Sequence, residues 1–468
     1  FQNNILLKNE ELSQYTQKLN ISQSACLIHS FIRDLALVIG APGTGKTFTT
    51  TNIVHYFLNF LKKPFIIKEG QDQDDDIKVM KKQFNISTYS KIIDILLHCT
   101  KNKAQRNQII LTAHSNNAVD QIAEQLINNF ATQPFLLRIG GGSEKLNQYS
   151  IDAYLRQIYY ELVEIGLIKE SDDWNIKSIF NVMILYETYL PILDFFTSKS
   201  AFQTGMLKLV SVIVGTTTGL NQIVTSLNKA PILIVEEAAK MTEYNLTPFI
   251  YLAPTKIILV GDVMQLPPVV KDKDLDQVAF LSKSLFYRLL YKYPDVIVLN
   301  EQHRVPTQIC DLYRNVYFNH LPSRIRTSLT DYATDQEQSL HYVQVKGRMK
   351  QECNYEEIDE IQKVYDHLIK VKNYSADKIT VLSYYKQQVK QLEYALKVHC
   401  FTVDEYQGLE NDVIILSPVC RNPTKFCDNL NRNLVAFSRA KKEMWVVGDL
   451  TNWQNEICQN LVNLKIEE

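Results

Sequence analysis

The residues best suited to chemistry are Gly40 to Thr47, GAPGTGKT, directly after the apolar run Leu35-Ala36-Leu37-Val38-Ile39. The spacing G-x-x-x-x-G-K-[ST] between a buried strand and a helix describes a phosphate-binding loop. Glycines at 40, 43 and 45 permit backbone angles that a side chain forbids. The N–H groups of the loop can therefore curl around a triphosphate at a helix N-terminus. Gly40, Pro42, Gly43, Thr44, Gly45, Lys46 and Thr47 are the expected nucleotide-binding residues. Lys46 supplies a point charge to the β/γ-phosphates and Thr47 a hydroxyl to Mg²⁺, so ATP and Mg²⁺ are the implied cofactors.

An ATPase site needs an acidic second half. Residues 231–239, PILIVEEAA, place Glu236 and Glu237 at the end of another apolar run. The first carboxylate would hold Mg²⁺ and the second would orient or deprotonate the attacking water. A helix N-terminus that favours acids through its dipole is the competing explanation of such a pair. In Gly261-Asp262-Val263-Met264-Gln265-Leu266-Pro267-Pro268, Gln265 follows a further apolar run, where an amide can sense the γ-phosphate.

Positioning these groups requires parallel strands. Runs at 35–39, 107–112, 211–215, 231–235, 256–260, 295–299, 379–383, 412–417 and 444–448 are short, apolar and rich in β-branched residues. They are separated by longer helical stretches, the pattern of parallel sheets covered by helices. There are more strands than one nucleotide-binding unit requires, so two α/β domains are expected, residues 1–300 and 301–468. The acidic run at 69–76 reads as a solvated loop. Residues about 148–205 carry helical apolar spacing, including Ile151, Tyr154, Leu155, Ile158 and Leu162. They read as a helical insertion in the first domain, either a nucleic-acid clamp or a structural helical pair.

Bulk properties set the remaining bounds. The chain has 468 residues, 46% hydrophobic and 22% charged, ordinary for a globular protein of two or three domains. No uncharged apolar stretch reaches about eighteen residues, so no membrane span is expected. The opening FQNNILLKNE has no initiator Met or signal-peptide pattern and reads as part of a longer polypeptide, whose flanking domains would be sites for protein partners. Eight scattered cysteines form no C-x-x-C pair and meet no histidine at zinc spacing. A reducing intracellular setting follows, nucleus or cytoplasm undecided. A net charge of −1 neither supports nor excludes nucleic-acid binding.

Taken in order, the motifs resemble those of superfamily-one helicases, specifically the up-frameshift/senataxin-like branch. The "VEEAA" and "QHR" variants place the chain near the zinc-finger helicases of small-RNA silencing and, less closely, Aquarius. The resemblance covers nearly the whole chain and implies two RecA-like domains. Leu19-Asn20-Ile21-Ser22-Gln23 resembles the Q motif, in which Gln23 would read the adenine edge. Leu111 to Gln121, LTAHSNNAVDQ, resembles the backbone-gripping segment, giving Ser115 and Asn116 as nucleic-acid contacts. Leu137 to Gly140 and Val214 to Gly219 match the next two contacting segments, which adds Thr216, and Ser284 to Leu289 matches the helix before the domain junction.

In the second half, Gln302-His303-Arg304 resembles "QYR", with the His303 ring near the nucleoside and Arg304 on the phosphates. Ser383 to Gln388 gives Tyr385 as a nucleic-acid contact. Thr402 to Glu410, TVDEYQGLE, gives Thr402 on nucleic acid and Glu410 near the ribose. Arg432 to Lys441, RNLVAFSRAK, resembles the final motif and implies that Arg439 is an arginine finger, worth about 10³–10⁵ in rate. Lys46, Glu237, Gln265, Arg304 and Arg439 are the implied catalytic set, with Thr47 and Glu236 on the metal.

Four positions depart from the family pattern: Glu236 for Asp, Lys240 for Gln, His303 for Tyr, and Asn433-Leu434 in inverted order. The resemblance implies a monomeric ATP-dependent helicase or translocase on single-stranded RNA, moving 5′→3′ and coupling hydrolysis to domain closure. A DNA helicase with the same core and an ATP-gated RNA clamp with little unwinding remain open.

Overall fold

The apolar runs form strands because they are buried on both faces. Leu35–Gly40 (β1), Ile109–Ala113 (β3), Val212–Thr216 (β6), Ile232–Val235 (β7) and Lys256–Gly261 (β8) are almost wholly shielded from solvent. Such uninterrupted burial marks a parallel sheet covered on both sides. The computed structural model describes residues 16–60, 65–67, 91–101, 108–129, 132–164, 166–169, 174–229, 231–270, 281–327, 329–331 and 338–466. The acidic run at 69–76 lies outside them.

Two α/β parallel sheets organise the chain. The first has the order β5-β6-β3-β7-β8-β1-β9, where β5 is Leu136–Ile139 and β9 is Val296–Leu299. Its β1–β9, β3–β6, β3–β7, β5–β6 and β7–β8 pairings are parallel. The second sheet has the order β12-β16-β15-β13-β14, all parallel. Its strands are Leu340–Val343 (β12), Ile379–Ser383 (β13), Phe401–Thr402 (β14), Asn411–Ser417 (β15) and Ala440–Val447 (β16). Small ladders join Phe65–Ile67 (β2) to Thr132–Pro134 (β4) and Glu301–Gln302 (β10) to Thr330–Asp331 (β11).

In the two main sheets the sequence expectation missed β5, β12 and the two-residue β14, and began β16 four residues too late. Compactness divides the described chain differently from sheet membership. One unit takes Leu27–Ala36 and Thr47–Leu259, the other Thr16–Cys26, Leu37–Lys46 and Val260–Glu468, a division that cuts through β1 and β8.

The insertion is helical. Ile151–Glu164, Ile176–Met183 and Lys199–Leu209 are α-helices, joined in part by the 3₁₀ segment Glu187–Phe196. Tyr154, Leu155, Ile158 and Leu162 are buried. Tyr154 donates its hydroxyl to the Leu136 carbonyl at 2.6 Å and meets Phe135 edge-on at 5.8 Å. These aromatic residues are core, so their helical spacing reports packing.

Candidate nucleotide and nucleic-acid site

In a parallel sheet, functional loops leave the carboxyl ends of the strands, where ligands bind in α/β folds. The phosphate loop follows β1, Ser115 and Asn116 follow β3, Glu236 and Glu237 follow β7, and Asp262 to Gln265 follow β8; Thr216 closes β6. In the second sheet Tyr385 follows β13 and Thr402 closes β14. Glu410 and Arg439 instead precede β15 and β16, at the amino ends of neighbouring strands.

The loop itself is built for close backbone approach. Gly43 and Gly45 both have φ of 77°, the left-handed region. A Cβ on Gly40 would lie 2.7 Å from Lys46 Cγ and Thr44 Oγ1. One on Gly43 would lie 2.8 Å from Arg304 Cβ. Lys46 Nζ donates to the carbonyls of Gly40 at 2.7 Å and Ala41 at 3.2 Å, so its charge sits over the loop. Pro42 is buried beside it. Gln23 is buried and donates Nε2 to the Thr44 carbonyl at 3.2 Å, which sets the Q-motif side chain against the loop. Asn20 Nδ2, in the same turn, is buried with no hydrogen-bond partner.

The helix Lys46–Phe60 follows the loop directly. Thr50, one turn beyond Thr47, donates its hydroxyl to Glu236 Oε1. Glu236 is only 4% exposed. Glu237 has φ 52° and ψ 33°, a left-handed conformation that costs a non-glycine residue on the order of 1–3 kcal/mol and recurs at active sites. Its Oε2 accepts from Ser115 Oγ at 3.3 Å. A candidate base and a candidate nucleic-acid contact therefore share a hydrogen bond.

Arg304 and Arg439 form the cationic part. His303 N–H donates to the Gly43 carbonyl at 2.9 Å, which fixes the QHR turn on the phosphate loop and leaves the His303 ring exposed. Arg304 pairs with Glu410 and donates Nη1 to the Ser438 carbonyl at 3.4 Å. Its Nε is buried without a hydrogen-bond partner. Lys441 holds the other Glu410 oxygen at 2.9 Å. Burial would raise the Glu410 carboxyl, but Arg304 and Lys441 hold it below the usual range. Arg439 is 2% exposed and donates Nε to the Val435 carbonyl at 2.8 Å. Burial, then the charge of Arg304, pulls its pKa down to about 10. A buried guanidinium thus lies within reach of the charge of half-buried Arg304, an arrangement that added anionic charge would stabilise.

Gln265 is buried and donates Nε2 to Asp262 Oδ2 at 2.9 Å; Tyr317 donates its hydroxyl to the same oxygen at 2.7 Å.

The nucleic-acid candidates fall into two groups. Ser115 and Thr216 are helix N-caps, accepting from Ala118 N–H and Gly219 N–H at 3.2 Å each. Asn116 is exposed, and its Oδ1 accepts from Arg138 at 3.0 Å. Tyr385 and Thr402 are buried: the Tyr385 hydroxyl accepts from Cys427 Sγ at 2.9 Å, and Thr402 Oγ1 donates to Glu405 at 2.9 Å. Sequence reasoning missed the roles of Thr50, Asp120, Arg138 and Tyr317. Arg138 lies in a contacting motif, yet its guanidinium turns inward to Asp120 at 2.9 Å.

Comparison of the sequence with known proteins shows its family. Residues 18–173 and 194–273 match one family profile described as an AAA domain, and residues 281–451 match a second. The chain belongs to the up-frameshift/senataxin-like helicases of superfamily one. It is similar to an uncharacterized ATP-dependent helicase of Methanocaldococcus jannaschii, 24% identical over 95% of this chain and 70% of that protein. The NFX1-type zinc finger-containing protein 1 of Mus musculus is 32% identical over 52% of this chain and 14% of its own length. The regulator of nonsense transcripts 1 homolog of Drosophila melanogaster is 22% identical over 92% of this chain and 34% of its own. The chain thus spans well under half of the mouse and fly proteins.

Against the helicase pattern, the four departures separate. Asn433, the inverted position, is fully buried; its Oδ1 accepts from Tyr384 at 2.8 Å and its Nδ2 donates to the Cys427 carbonyl at 2.7 Å. Its side chain is thus used up in packing the helix Leu430–Phe437. Lys240 lies near His114, whose imidazole is held neutral to lower pH by burial and then by that charge. Glu236 is a carboxylate where the family pattern has Asp, and His303 a planar ring where it has Tyr.

Proposed function

We propose that this helicase-family chain hydrolyses ATP and uses the turnover to translocate 5′→3′ along single-stranded RNA, with residues of both RecA-like domains, 1–300 and 301–468, contributing. One observation supports the reading. Half-buried Arg304 and fully buried Arg439 feel each other's charge, and the buried Nε of Arg304 has no hydrogen-bond partner although its other nitrogens reach Glu410 and the Ser438 carbonyl. A γ-phosphate would satisfy that donor and balance the paired charge.

The donor set also fits Mg²⁺. That ion keeps several waters and asks for one or two carboxylates plus phosphates, so Thr47 and Glu236 suffice to hold it. Bound there, it would neutralise developing phosphate charge. Lys46 exchanges loop carbonyls for phosphate oxygens. Glu237 orients the attacking water, Gln265 senses the γ-phosphate, and Arg439 stabilises the transition state.

Ser115 supplies the link to nucleic acid. Its hydroxyl contacts Glu237, so a strand that draws on Ser115 and Asn116 alters the setting of the base. Competition between matched RNA and DNA oligonucleotides in an ATPase assay tests the substrate. Preferential stimulation by RNA supports the reading; equal or greater stimulation by DNA replaces it with a DNA helicase.

A further inference from the structure

We propose that Asn431 is a positioning residue that ties the Gln265 turn to the helix leading into Arg439. Its catalytic consequence rests on the ATPase reading above; the tie itself is a matter of geometry.

Asn431 Nδ2 points at three successive backbone carbonyls: Met264 at 2.9 Å, Gln265 at 3.0 Å and Val263 at 3.4 Å. One NH₂ group has two N–H donors, so it is shared across the trio, and the turn must hold its carbonyls convergent. The far side of that turn is equally fixed. Asp262 Oδ1 accepts from Met264 N–H at 3.0 Å, and Oδ2 accepts from Gln265 Nε2 and Tyr317. Any rotation of the Gln265 side chain disturbs Asp262 and, with it, the carbonyls that Asn431 holds.

On its other side Asn431 belongs to the helix Leu430–Phe437, capped by Asn429, whose side chain accepts from Arg432 N–H at 3.0 Å. This helix is firmly seated: Asn433, Leu434, Val435, Ala436 and Phe437 are buried. Its C-terminal turn holds Arg439 directly, since Arg439 Nε donates to Val435 O at 2.8 Å and Nη2 to Ser438 Oγ at 2.8 Å. A short path therefore runs from the Gln265 turn to Arg439 through the Asn431 side chain. Donor chemistry is required there. Asp has the same shape but would set a carboxylate against three carbonyl oxygens.

Hydrogen exchange by mass spectrometry on the full chain tests this, using wild type, Asn431→Asp and Asn431→Gln, with and without a non-hydrolysable ATP analogue and Mg²⁺. In wild type the analogue should slow exchange over residues 40–46, 260–266 and 430–437. In Asn431→Asp, exchange over 260–266 should quicken before any nucleotide is added. Protection on analogue binding should then persist at 40–46 and disappear at 430–437, while Asn431→Gln, which keeps the donor, restores it. Wild-type exchange at 260–266 in Asn431→Asp, intact protection at 430–437, or a uniform rise over the whole chain would each overturn the proposal. If Asn431→Asp does not fold, Asn431→Ala removes the donor without adding charge and is judged by the same peptides.

Turnover separates this inference from the reading beneath it. Asn431→Asp should lower RNA-stimulated kcat by about tenfold with KM for ATP nearly unchanged. A wild-type chain without turnover sinks the ATPase reading, and the exchange difference at 260–266 still decides the role of Asn431.

Discussion

At the residue scale, the site depends on where charge is buried. Arg439 lies inside the second parallel-sheet region with Arg304 as its neighbour, and its hydrogen bonds go to backbone carbonyls and a serine. A guanidinium held this way is preorganised to meet charge that develops during phosphoryl transfer. Arg439→Ala should therefore lower kcat by about 10³ or more while leaving ATP affinity nearly intact, as read from kcat and an equilibrium binding titration. A parallel fall in affinity and rate would make Arg439 a binding residue. The positions of the loop, the acidic pair and the Gln265 turn at strand ends were legible in the sequence because each follows an unbroken apolar run. Thr50 with Glu236 and Tyr317 with Asp262 were not, since those partners lie 186 and 55 residues apart. Nothing local marks such pairs; only the sheet order brings them together.

At the element scale, two buried polar arrangements hold the loops that leave the strands. The Arg138–Asp120 pair joins β5 to the helix Asn116–Asn128, and Asp120 also accepts from Ser143 N–H at 2.7 Å. Removing one partner strands the other charge. Asp120→Ala should cost about 3–5 kcal/mol in chemical denaturation. The second arrangement centres on Glu357, at the start of the helix Tyr355–Lys370. Its carboxyl accepts from Ser417 Oγ at 2.6 Å, Val419 N–H at 2.9 Å and Asn354 Nδ2 at 3.0 Å. Burial dominates those bonds, with Asp449 adding repulsion, and pushes the carboxyl up to about 8 from 4.5. Between those two values the native state keeps a proton that the unfolded chain has released. Stability from this group therefore falls as pH rises through that window and levels off above it. Wild type should lose stability between pH 6 and pH 9, and Glu357→Gln should lose less; equal losses would mean that Glu357 is not the group responsible. The principal strands were legible because burial on both faces demands unbroken apolar runs. β5 (LLRI) and β12 (LHYV) went unread because Arg138 and His341 interrupt their apolar runs, and no local signal encodes the order in which strands pair.

At the scale of the whole molecule, a strand of nucleic acid is proposed to govern the rate of ATP hydrolysis. The ingredients are a phosphate loop that receives His303, a buried Arg439 under the charge of Arg304, and a hydroxyl on Ser115 that reaches Glu237. Among the described residues no helix is long and apolar enough to cross a membrane. Steady-state ATP hydrolysis by this chain, with and without a saturating single-stranded RNA oligonucleotide, tests the claim most directly. The account predicts that turnover rises severalfold or more when RNA is added. Little turnover in either condition, with RNA demonstrably bound, would contradict it and leave a nucleic-acid clamp in place of a motor.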